Sequence, residues 1–133
     1  MRASLVTVLI AAITVTAASA STTATTVLRV TYWEDSAKAS ESVTWTLRCN
    51  PARGSLPRPA RACARLAAGG AKLFAPLPRN IVCTEIYGGP QRARVVGRVN
   101  GRRIWATFAR SNGCEIDRWQ RISPWLVPPG GVR

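Results

Sequence analysis

The sequence predicts an α+β domain: an antiparallel sheet of about five strands, with one main helix and one short helix on one face, closed by two disulfides. Three observations carry that expectation. Four segments alternate apolar and polar residues and are joined in pairs, one pair through Asn100-Gly101. Between the pairs lies one Ala- and Arg-rich stretch that stops at Gly69-Gly70. The 133 residues include four cysteines, and an even number in a small exported chain reads as two bridges.

Residues 1–20 read as a leader outside the fold. Arg2 supplies the positive start, "LVTVLIAAITVTA" is the apolar stretch, and Ala18-Ser19-Ala20 fits the small-x-small cleavage rule. The apolar run is too short for a membrane anchor and no basic stop-transfer segment follows it. The expected product is a single domain over residues 21–133, secreted and without a membrane span. Losing Arg2 takes its formal charge from +13 to +12.

After a small polar arm, "STTATT", the stretch "TVLRVTYW" (26–33) is rich in β-branched and aromatic residues and predicts the first strand. "EDSAKASES" (34–42) is a polar connection. "VTWTLRC" (43–49) then alternates, with Val43, Trp45, Leu47 and Cys49 on one face and Thr44, Thr46 and Arg48 on the other. "NPARGSLPRP" (50–59) is a loop by its proline and glycine. "ARACARLAAGG" (60–70) is the main helix, with Cys63 and Leu66 sharing its inner face. "AKLFAPLPRN" (71–80) is an irregular connector. "RARVVGRV" (92–99) and "RRIWATFAR" (102–110) form a second hairpin, in which Ile104, Ala106 and Phe108 alternate against Trp105 and Thr107. "SNGCEIDRW" (111–119) begins a short helix or turn. The tail from about residue 120, "PWLVPPGGVR" at its end, is expected to open with an edge strand.

Little of this chain suits catalysis. With no histidine, Ser-His-Asp and Cys-His nucleophile systems are excluded. The six carboxylates include one close pair, Glu115 and Asp117. Beside Arg118 and Arg121, these read as solvated charges more readily than as an acid/base pair. No phosphate-cradling glycine loop follows a strand, no CxxC or histidine set holds a metal, and no cofactor is expected. The 19 Lys and Arg attract polyanions, and five tryptophans offer stacking surfaces, so a polyanion- or envelope-binding protein is an alternative reading. The basic residues form no dense run, so specific nucleic-acid binding is not expected.

Four motifs, in order, carry a family resemblance: "VTWTLRCNP" (43–51), "ACARLAAGGAKL" (62–73), "VCTEIYGGP" (82–90) and "FARSNGCEIDRW" (108–119). Over residues 26–119 the chain resembles the Streptomyces subtilisin inhibitor family of secreted serine-protease inhibitors. The resemblance implies bridges Cys49–Cys63 and Cys83–Cys114, with no enzymatic activity and a secreted serine protease as partner. It implies a reactive loop of Cys83, Thr84, Glu85, Ile86 and Tyr87, in which Cys83 and Thr84 are P3 and P2, Glu85 is P1, and Ile86 and Tyr87 are P1′ and P2′. The scissile bond is then Glu85–Ile86. Asn112 matches a position whose amide supports the loop by hydrogen bonds. Family members also pair into homodimers through the sheet face, where this chain places Thr44, Thr46 and Trp105. Glu85 departs from the Met or Lys usual at P1, and the tail resembles the family less. The carboxylate points to glutamyl-specific or subtilisin-like targets, the alternative being an inhibitor scaffold that has lost inhibition.

Overall fold

The computed structural model describes Val15, Ala17 and residues 25–132. The leader expected over residues 1–20 therefore lies, those two residues apart, outside the described residues. Strands β1 (Val27–Trp33), β2 (Ser42–Arg48), β3 (Arg92–Val99) and β4 (Arg102–Phe108) make one antiparallel sheet in the order β2-β1-β3-β4. Val30 stands opposite Trp45 on one side and Val95 on the other, and Val95 faces Ala106. Asn100 and Gly101 turn the second hairpin with φ of 49° and 79°, the positive pair that matches strand twist.

The period-two patterns place one face of the sheet inside. Leu28, Val30, Leu47, Val95 and Phe108 are at most 2 % exposed, and burial of each contributes about 1.5–3 kcal/mol. Helix α1 (Pro59–Gly69) adds Ala62 and Leu66 to the same core, and α2 (Gly113–Ile122) adds Trp119 and Ile122. Pro59 at its first positions suits α1, because an N–H there would have no partner within the helix. A 3-10 turn, Gly70–Phe74, follows and buries Phe74 edge-on to Phe108.

The free edge of β2 is covered by the loop that follows it. Arg48 and Arg53 exchange backbone hydrogen bonds of 2.8 and 2.9 Å, and Leu56 N donates to the Thr46 carbonyl. Such a cover keeps an edge from pairing with another chain.

Two expectations are corrected. The sheet has four strands, not about five: the edge strand expected in the tail does not form among the described residues. Trp125, Leu126 and Val127 are buried consecutively instead of alternating, and Leu126 N and Val127 N both donate to the Ile122 carbonyl. Pro124, Pro128 and Pro129 bring no N–H to a ladder, so the tail folds against the end of α2. The second helix is not short: at 10 residues it nearly equals the 11 of α1.

Candidate functional site

The chain between the 3-10 turn and β3 contains the most exposed apolar stretch of the domain body. Val82 is 94 % exposed, Ile86 61 % and Tyr87 56 %. Thr84 and Glu85 are exposed between them and Cys83 is half-buried. Residues 81–89 have no regular secondary structure. Apolar side chains held out together mark a surface that a partner covers.

The projection is tied at both ends to the connection between β4 and α2. On its N-terminal side Cys83 is bonded to Cys114, with Cα atoms 5.4 Å apart, and Gly113 N donates to the Thr84 carbonyl at 3.0 Å. On its C-terminal side Gly88 and Arg110 bond twice. Gly88 N donates to the Arg110 carbonyl at 2.7 Å, and Arg110 Nε donates to the Gly88 carbonyl at 3.0 Å. Glu85, Ile86 and Tyr87 form the span between these ties.

Local chemistry fixes the connection that carries the ties. Asn112 is the N-cap of α2: its Oδ1 accepts from Glu115 N at 3.0 Å, satisfying one of the helix's free donors. Gly113 lets the two segments approach closely, since a Cβ there would meet Thr84 Oγ1. Arg118, 6 % exposed, donates to the carbonyls of Ala75 and Thr107 and to Glu115 Oε2 at 3.0 Å. That binds α2 to β4 and to the chain leading into the projection. Glu115 is thus a structural partner of Arg118 and not the solvated carboxylate that the sequence suggested. Asp117, one helical step on, is exposed.

Residues 83–87 thus form one exposed ridge with Asn112 at its base. Among the described residues Asn112 bonds to its own helix, accepting from Glu115 N at its side chain and from Ile116 N at its carbonyl. The Thr84 carbonyl is met by the backbone of Gly113. Reasoning from sequence missed Arg110, Gly113 and Gln91. Of these, Gln91 left a signal: it shares the inward period of Ala93 and Val95 and is 1 % exposed, a polar side chain at a core position.

The bridge Cys49–Cys63 lies elsewhere and joins the residue after β2 to α1, with Cα atoms 5.6 Å apart. No helix among the described residues is long and apolar enough to cross a membrane.

The described residues form a small domain with a bridged, outward-facing peptide segment. Comparison gives it a family: residues 21–112 match the subtilisin inhibitor-like family, and the chain belongs to it. As a member of an inhibitor family it is not an enzyme. It is similar to subtilisin inhibitor-like protein 1 of Streptomyces cacaoi, with 41 % identity over 78 residues, 55 % of this chain and 69 % of that one. A solved relative is sermetstatin of Streptomyces caespitosus, crystallised in complex with Bacillus licheniformis subtilisin. It shares 26 % identity at a TM-score of 0.49, covering 76 % of this chain and 96 % of that one.

Proposed function

We propose that the protein is a secreted inhibitor of serine endopeptidases and that residues 83–87 are its reactive loop. Export would follow removal of residues 1–20, leaving 21–133 as the inhibitor domain. The observation that carries the reading is the exposed ridge tied on both sides, at Cys83–Cys114 and Thr84 on one and at Gly88 on the other. A segment held this way loses little freedom on docking. The backbone ties spare part of the loop-ordering cost that a flexible peptide would bear. Cys83, Thr84 and Glu85 occupy P3, P2 and P1, and Ile86 and Tyr87 occupy P1′ and P2′. After cleavage of Glu85–Ile86 the new amine stays fastened through Gly88 beside the acyl-enzyme, so religation competes with release. Asn112 supports the loop by fixing the start of the helix that carries Gly113 and Cys114.

Glu85 selects the target. A carboxylate is repelled by the acidic S1 pocket of a trypsin-like protease, and burying it unpaired in an apolar pocket costs several kcal/mol. Glutamyl-specific enzymes, or subtilisin-like enzymes with a partly solvated S1 cleft, are the expected targets. Inhibition constants against glutamyl endopeptidase, subtilisin and trypsin test this. Tightest binding to trypsin overturns it, and Glu85→Lys is expected to reverse the order.

A second reading has its own observation. The open sheet face presents Arg29, Arg48, Arg92, Arg94, Arg98 and Arg103, all exposed, with none in an ion pair among the described residues. The Arg94 guanidinium lies 5.8 and 5.9 Å from the Trp33 and Trp105 rings. This face suits a polyanion, whose binding would weaken steeply with salt and ignore Glu85→Lys. The same charge opposes the family's face-to-face homodimer, so sedimentation at low salt is expected to give one chain.

A further inference from the structure

We propose that the C-terminal tail is a strap that clamps the primed side of the reactive loop, with Gln91 as its positioning residue. This rests on the inhibitor reading above and concerns residues 128–132, which lie beyond both the family match over residues 21–112 and the resemblance over residues 26–119.

The strap is built from three contacts. The buried Gln91 side chain makes a two-way amide pair with Gly131: Nε2 donates to the Gly131 carbonyl at 2.9 Å, and Gly131 N donates back to Oε1 at 3.3 Å. Trp119, fully buried in α2, donates from Nε1 to the Pro128 carbonyl at 2.9 Å. The tail backbone lies directly on the loop's base. Gly89, at φ +132°, sits so close to the Gly131 carbonyl that any Cβ would collide with it.

These contacts meet the loop's own anchor. Arg110, which holds Gly88 by two bonds, lies over the Trp119 ring at 5.8 Å, and Gly130 packs against its side chain. Trp125, Leu126 and Val127 root the tail in the core just before the strap begins. Gly89 and Gln91 are buried beneath Gly131, and Gly88 is buried against Ile116 of α2, although Tyr87 is 56 % exposed. The unprimed side of the loop has a covalent bridge. The primed side has none, and the strap is its substitute. It keeps Ile86 and Tyr87 in place after cleavage, when their only covalent link to the body runs through Gly88.

The test compares three variants of the full chain with the parent. Gln91→Leu removes the amide pair, together with the 3.5 Å contact from Nε2 to Glu34 Oε1, at similar volume. A stop after Val127 removes the strap and keeps its root. Leu66→Ala, on α1, destabilises the core away from the loop. Amide hydrogen exchange at Gly88 is read without any protease. Both strap variants are expected to raise it about tenfold or more relative to the sheet amides, and Leu66→Ala to leave that ratio unchanged. With a protease that the parent inhibits, the strap variants are expected to be cut at Glu85–Ile86 about tenfold faster. An unchanged exchange ratio in both strap variants overturns the strap. If the parent inhibits no serine protease while the exchange ratio rises, the inhibitor reading fails and the strap stands as a structural clamp.

Discussion

Cys49–Cys63 and Cys83–Cys114 span almost equal distances, 5.6 and 5.4 Å between Cα atoms, yet they fasten unlike neighbourhoods. The first joins the end of β2 to α1. Core packing already holds both partners there, through Leu47 on the strand and Leu66 on the helix. The second joins α2 to a segment with no regular secondary structure and with side chains turned to solvent. One bond reinforces an arrangement that burial has already chosen. The other imposes an arrangement that burial opposes. The difference teaches where a cross-link does functional work: in a loop whose apolar residues must stay outside, a covalent tie replaces the missing core.

Removing each bridge in turn should produce the largest effect. With sequence separations of 14 and 31, loss of unfolded-state constraint gives about 3 kcal/mol for Cys49–Cys63 and about 4 kcal/mol for Cys83–Cys114. These stabilities are similar, but the functional outcomes should not be. The double variant Cys83→Ser, Cys114→Ser is expected to weaken inhibition by at least about 100-fold, equivalent to about 2.7 kcal/mol, and to be cut as a substrate. The double variant Cys49→Ser, Cys63→Ser, assayed below its melting point, is expected to stay within about threefold of the parent, under 1 kcal/mol. Inhibition constants beside melting curves read both. Equal losses of inhibition would erase the distinction between the bridges.

A smaller effect sharpens the same contrast at one atom. Gly113→Ala places a methyl against Thr84 Oγ1, beside the disulfide and at the proposed P2 position. Overpacking in a core costs about 1–3 kcal/mol, and at this exposed contact the cost falls at the low end of that range. The displacement falls on the loop, because Gly113 belongs to the capped first turn of α2 and Thr84 does not belong to an element. Inhibition is expected to weaken by about tenfold, while melting falls by less than after removal of either bridge. A variant that melts lower but inhibits as well as the parent would mean that the loop yields without losing its shape.

The body of the fold was legible because alternation fixes faces. All four strands begin and end within about two residues of their expected bounds, and the inward set on β4, Ile104, Ala106 and Phe108, is the one that the pattern marks. The tail misled for a physical reason. Trp125, Leu126 and Val127 resemble a short strand in composition, but they dock side by side under α2, where burial needs no period of two. Spacing left three bridge pairings open, and only the family resemblance chose among them. The strap had almost no signal, since its acceptors are the carbonyls of Pro128 and Gly131, which every residue type possesses. Glu115 was misjudged because its partner, Arg118, becomes buried only when α2 packs on β4.

The smallest effect concerns Asn112 and decides how the unprimed tie is held. In the free protein its Oδ1 caps α2 through Glu115 N. Losing such a cap costs about 1 kcal/mol, a fall of about 4 °C in a domain of this size. If capping is its whole contribution, Asn112→Ala lowers the melting temperature by that amount. Inhibition then weakens by no more than about threefold, because Gly113 N still reaches the Thr84 carbonyl. Asn112→Asp is the sharper variant. It keeps the cap acceptor and adds a charge favoured at a helix N-terminus, but it lacks the amide donor that a loop carbonyl would need. Full inhibition by Asn112→Asp assigns the residue to the helix. A tenfold loss in Asn112→Asp, with melting unchanged, assigns it to the loop, through a hydrogen bond made only in the complex with the protease.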